Sequence, residues 1–248
     1  MMKREATVAR DTRHTRLMKL TLAALFVAVA YLCRFLIHFN VMFLTFDVKD
    51  AVVTVGALYL GPLWGIGMSL GVALIEFITI SDTGLYGLMM NFLAAAAFSS
   101  VAALIYRLRR TMGGAILSLV LGACALVGIM LPANLLITPY YMGVELPQVV
   151  ALIPTLLLPF NAVKGVINAG VVLLLYKPVT RALSRARAFR ALTATRGATG
   201  DGEGKKTPEA AASSAPPRML MAKIALLVIA AALLFFLLFL GGSFTFGK

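Results

Sequence analysis

Cysteine, histidine, tryptophan and acidic side chains are all scarce in this chain. Two cysteines, two histidines, one tryptophan and ten acidic residues stand against 23 lysines and arginines. His14 and His38 are isolated, and Cys33 and Cys124 fall in apolar runs outside any metal-ligand spacing. That excludes a zinc centre, so no metal is expected, and the cysteines read as small buried hydrophobes. A nucleophile elbow is absent too. GDGEGKKT at 200–207 fails as a phosphate-binding loop. That loop needs a glycine five positions before the Gly of its Gly-Lys pair and Ser or Thr directly after the lysine; here those positions hold Thr199 and Lys206. Charge of any kind is thin, at 13% of residues, whereas 60% are hydrophobic and the mean hydropathy is +0.92. Soluble domains use about 25% charged and about 45–50% apolar residues. The composition therefore describes an integral, mostly helical membrane protein.

The net charge of +13 would point to nucleic acid in a soluble protein. Here the basic residues flank apolar runs, so anchoring in lipid and topology explain them, and no nucleic-acid partner is expected. Residues 1–19 form a long, basic, polar N-terminus without a small-residue cleavage site after it, unlike a secretory signal. A first span is expected at about 20–37, then a loop at 38–50 and a short helix at 51–60. Gly61-Pro62 punctuates, and spans follow at 63–80, 85–106, 113–137 and 151–178. The short helix reads as tilted or partly re-entrant. Gly61/Gly65 and Gly67/Gly71 give two GxxxG spacings for close packing. The loop at 138–148 is rich in tyrosine and proline, and Pro154 and Pro159 allow the last of these helices to start as late as Pro159. Residues 184–218 read as a flexible cytoplasmic linker, and 219–248 as an additional transmembrane helix with a short tail.

The most informative stretch is 151–178, ALIPTLLLPFNAVKGVINAGVVLLLYKP. A lysine inside such a segment costs roughly 2.5–3.5 kcal/mol at mid-bilayer, so it has a partner or a task. Asn161, Lys164, Gly165 and Asn168 follow the i, i+3, i+4, i+7 rule and share one helix face. Basic clusters at the N-terminus, at 107–110 and at 177–223 are each separated by an even number of spans. The positive-inside rule places them in the cytoplasm and the acidic loops outside, with the C-terminus outside after the extra helix. Asn91, Asn134, Asn161 and Lys164 then gather in the outer half of the bundle. Amides donate and accept while an ammonium only donates, a mixture suited to a ligand with adjacent carbonyls and ring nitrogens. Two other readings remain open. The asparagines can serve as interhelical glue in a scaffold, or Lys164 can act as the base or nucleophile of a membrane enzyme. Glu76 and Asp82, at a loop edge, read as solvated carboxylates.

Four segments carry a family resemblance: LTFDVKD, GALYLGP, TGLYGLMMNFL and LLLPFNAVKGVINAGVVLLLYKPV. Across about 17–183 the chain resembles the substrate-binding S components of energy-coupling factor (ECF) vitamin transporters. PFNAVKGVIN and PANLLITPYY are similar to the riboflavin-specific members. The resemblance implies a non-enzymatic six-helix bundle at 20–183 that holds riboflavin, or another vitamin, as transported ligand rather than cofactor. It implies ligand contacts at Asn134, Asn161 and Lys164 and a capping loop at 38–50; Asn91, placed in the same half of the bundle, and Phe46 of that loop are further candidate contacts. It also implies docking through Ala24 and Ala28 onto a transmembrane coupling subunit that works with two ATPase subunits. The linker and the extra helix depart from the family pattern.

Overall fold

The apolar runs fold as helices whose ends follow local signals. A computed structural model describes residues 2–185, with side chains described from 15 to 182. Helix α1 (Met2–Leu36) leads into a hairpin of β1 (His38–Val41) and β2 (Leu44–Asp47). Helices α2 (Lys49–Leu60), α3 (Pro62–Thr79), α4 (Gly84–Leu108) and α5 (Met112–Met142) follow. The chain re-enters the bundle through α6 (Leu146–Leu152), a π-helical turn (Ile153–Leu157) and α7 (Leu158–Arg185), which run on from one another. Among the described residues five stretches are long and apolar enough to cross a membrane: Thr15–Leu36, Pro62–Thr79, Gly84–Leu108, Met112–Met142 and Leu146–Ala182. With the short α2 they form the helical membrane bundle that the composition implies. Apart from the last turn of α7, the expected linker at 184–218 and the helix at 219–248 lie outside the described residues.

Helix α2 is the enclosed centre. All twelve of its residues are buried, against α1, α3, α4 and α7. At about 18 Å it is too short to cross a hydrocarbon core of about 30 Å. Having no lipid face, it can be apolar all round. Gly61 ends it with φ 116°, and its N–H bonds the Ala57 carbonyl at 2.7 Å. Pro62 then opens α3, where a missing N–H leaves no bond unmade. A side chain on Gly61 would strike the guanidinium of Arg107, whose Nη2 donates to the Leu60 carbonyl at 3.3 Å. The two GxxxG spacings do not act as packing pairs. Gly61 is crowded by the Arg107 side chain, and only Gly65 lies close to another helix, where an added Cβ would be 2.9 Å from that of Ala57; Gly67 faces open space and Gly71 has ordinary contact with Val27.

Four local expectations change. The 38–50 loop is an antiparallel hairpin, with His38 opposite Asp47 and Val41 opposite Leu44, and Met42 in its turn at φ 54°. Its β2 strand is largely buried while β1 is exposed. Helix α5 runs past 137 to Met142, through both Pro132 and Pro139, until Gly143 in the left-handed region stops it. The final helix starts before 151, at Leu146, because the π-turn absorbs Pro154 and the chain stays helical through Pro159. Cys124 is exposed and Cys33 half-buried rather than both being core residues.

Asn168 ties the last helix to the central one. Its Oδ1 accepts the Ala51 N–H at 3.0 Å, and its Nδ2 donates to the carbonyls of Lys164 (3.0 Å) and Asp47 (3.4 Å). It therefore caps the first turn of α2, where Val48 has no side chain able to do so. Asn168→Ala is expected to lower stability by about 1–2 kcal/mol. Thermal unfolding in detergent should show a fall of several degrees, and an unchanged midpoint would contradict the capping role.

Candidate functional site

Six ionisable side chains meet at the inner end of the hairpin. Three are cations (Arg34, Lys49, Lys164) and three are carboxylates (Asp47, Asp50, Glu76). They come from α1, β2, α2, α3 and α7. Lys49 Nζ lies 2.7 and 2.6 Å from the two oxygens of Glu76 and 3.7 Å from Asp47. Lys164 Nζ lies 3.4 Å from Asp47 and 3.5 Å from Asp50, and Arg34 Nε is 4.0 Å from Asp47 and 3.9 Å from Glu76. All except Arg34 are almost wholly buried. The formal charges cancel, which makes the cluster tolerable in an apolar bundle. Arg34 and Asp50 are its loosest members: among the described residues, neither oxygen of Asp50 and neither Nε nor Nη1 of Arg34 makes a hydrogen bond. In the hairpin, burial alone would raise the Asp47 carboxyl, but Lys164, Lys49 and Arg34 together hold it below its ordinary value.

Beside this cluster lies a cavity that opens at its mouth. Asn91 from α4, Asn134 from α5, and Asn161 and Lys164 from α7 all line it. The hairpin covers one side with Phe43, Leu44 and Thr45. Apolar and aromatic walls come from Tyr86, Met90, Met130, Tyr141 and Phe160. Such a space, apolar with a few convergent polar groups, has the character of a small-molecule site. The amides are held in defined ways. Asn134 Nδ2 donates to the Met130 carbonyl at 2.7 Å and its Oδ1 receives the Thr138 hydroxyl at 3.1 Å. Asn161 Nδ2 donates to the Leu157 carbonyl at 2.7 Å. Both bond to the preceding turn of their own continuous helical run, so these bonds are not interhelical glue; Asn168 and Asn91, which bond across to α2 and α3, take that part.

Phe46 does not line the cavity. It stacks on Phe39 at 4.8 Å and meets the edge of Phe160 at 6.3 Å, supporting the aromatic that does. Ala24 and Ala28 lie far along α1 on its exposed face. Glu76 is buried and ion-paired rather than solvated, whereas Asp82 is exposed as expected. Sequence reasoning missed the partners of Lys164. The available signal was that Glu76 sits in an apolar span, as Lys164 does, and that Asp47, Lys49 and Asp50 crowd four positions beside the next helix.

Removing one member of a buried pair strands the other. Lys49→Met is expected to lower stability by about 3–5 kcal/mol, and adding Glu76→Gln should recover most of that loss. Thermal unfolding of the single and double variants checks this; equal losses in both would contradict the pairing.

Known proteins match this arrangement. The family described as ECF transporter, substrate-specific component, matches residues 18–176. The riboflavin transporter RibU of Staphylococcus aureus (strain TCH60) is 26% identical over 180 residues, covering 70% of this chain and 94% of that protein. A solved structure of the S component of a bacterial ECF transporter superposes with a TM-score of 0.59 at 25% identity. The overlap covers 68% of this chain and 99% of the other. With the family match spanning well over half its length, this multi-pass membrane protein belongs to the family of ECF transporter substrate-specific components.

Proposed function

We propose that this chain is the riboflavin-binding subunit of an ECF importer, taking the vitamin from the outside. The observation that carries the reading is the convergence of Asn91, Asn134, Asn161 and Lys164 on one apolar-walled cavity beneath the hairpin. A flavin presents carbonyls and ring nitrogens at its polar end and a flat apolar body. The amides and ammonium answer the first, and Phe160, Met90 and Met130 the second. A relative named as a riboflavin transporter supports the ligand. Another vitamin of similar polarity is the alternative.

The enzyme reading loses support. Asp47 and Asp50 face Lys164 as counter-charges, a setting for an ammonium rather than for the free amine that a base or nucleophile requires. By the charge pattern the N-terminus and the 184–218 segment are cytoplasmic, the C-terminus is outside, and the cavity opens outward. Ala24 and Ala28 lie on the exposed face of α1, as a surface for a transmembrane coupling subunit requires. Two ATPase subunits complete the importer in this reading, and docking must favour a state in which the cavity is disassembled.

Titration of purified protein with riboflavin tests the ligand. Saturable binding is expected, with flavin fluorescence quenched by Tyr86 and Tyr141 in the wall. Trp64 sits beside Arg16, Leu17, Lys19 and Leu20, away from the cavity, so its emission is not the reporter. Asn161→Ala should weaken binding about tenfold with the fold intact. Lys164→Ala is the poorer probe, because it also strands Asp47 and Asp50. No saturable binding would overturn the reading. For docking, Ala28→Trp is expected to leave riboflavin affinity unchanged while abolishing uptake in cells; uptake at the unsubstituted rate would remove α1 from the docking surface.

A further inference from the structure

Glu76 belongs to the charge cluster and does not line the cavity, yet it touches a residue that does. Its Oε2 accepts a hydrogen bond from Asn91 Nδ2 at 3.0 Å, and both its oxygens accept from Lys49 Nζ. An ionised carboxylate only accepts, so Asn91 must turn its NH₂ group toward Glu76. The other end of the amide is left for the cavity, and among the described residues no other group donates to Asn91 Oδ1.

We infer that Glu76 is a positioning residue that fixes Asn91 as a hydrogen-bond acceptor toward the ligand, and that Lys49 holds Glu76 in that role. The inference rests on the riboflavin reading and adds a polarity rule to it: the ligand atom beside Asn91 is an N–H or O–H donor. Lys49 is the first residue of α2, and its backbone N–H donates to Asp47 Oδ1 at 3.3 Å, at the end of the hairpin. The presentation of Asn91 is thereby linked to the seating of the cap. Three short contacts converge on one carboxylate, which leaves it little freedom to rotate. Asn134 is held by a different route, entirely within its own helix. The cavity thus has one amide whose orientation depends on the cap and one whose orientation does not.

A thermodynamic cycle on the full chain tests this. Riboflavin affinity is measured for the unsubstituted protein, Asn91→Ala, Lys49→Met/Glu76→Gln, and the triple variant. The double variant carries no stranded charge, and a glutamine at 76 can donate as well as accept, so Asn91 is no longer held one way round. Each of the first two changes is expected to raise Kd about tenfold. The triple variant should also lose about tenfold rather than a hundredfold, because without Asn91 there is nothing left to position. A multiplicative loss in the triple variant, or an unchanged Kd in the double, overturns the positioning role. Should the double variant not hold its fold, Glu76→Gln alone closes the same cycle with its thermal midpoint measured alongside, since Lys49 loses its closest partner but keeps Asp47 at 3.7 Å. Absence of binding by the unsubstituted chain overturns the riboflavin reading itself; multiplicative losses in a chain that does bind overturn only the role of Glu76.

Discussion

The buried charge cluster is the constraint on which the rest of the molecule depends. Three cations and three carboxylates from five separate elements cannot be tolerated in an apolar bundle unless each finds its counterpart. Meeting that condition fixes the hairpin against α7 through Asp47 and Lys164. It fixes α2 against α3 through Lys49 and Glu76, and brings α1 in through Arg34. Asn168 adds a neutral tie, holding the start of α2 and the end of β2 on α7. The cavity lies where these constraints leave space, with Lys164 and Asn91 as the side chains that connect the two.

This arrangement gives the cap a physical identity. A hairpin of four-residue strands is marginal by itself, and its β1 strand is exposed. Its hold on the bundle comes from the aromatic contacts of Phe46 and from the ion pairs at its base. Lifting it would break several buried pairs together, so opening and closing become cooperative rather than gradual. In the proposed function, where a ligand is first held and then released, such a cooperative element would give a docking partner something to act upon.

Much of this was legible in the chain itself. Gly61-Pro62 announced the turn between α2 and α3, and the polar face around Lys164 announced the cavity, because intramembrane amides and ammonium groups are costly without a use. The alternation of basic and acidic ends was enough to gather Asn91, Asn134, Asn161 and Lys164 in one half of the bundle. What escaped were long-range pairings. Nothing in local sequence couples Lys49 to Glu76, 27 positions away, or Lys164 to Asp47, 117 positions away. The hairpin was missed because its short strands carry little alternation, and its register is set by neighbours rather than by its own residues. Phe46 packs behind Phe160, one side chain back from the cavity lining. Glu76 was expected in solvent and stands buried behind Asn91.

The central claim is that one cavity, roofed by the hairpin and bordered by the charge cluster, holds the flavin. A structure determined with riboflavin bound tests it most directly. The account predicts a flavin with polar atoms within about 3 Å of Asn161 and Lys164, a donor group at Asn91 Oδ1, and Lys164 still beside Asp47 under a seated hairpin. Flavin density elsewhere on the bundle, or a hairpin lifted away from a bound ligand, would contradict it.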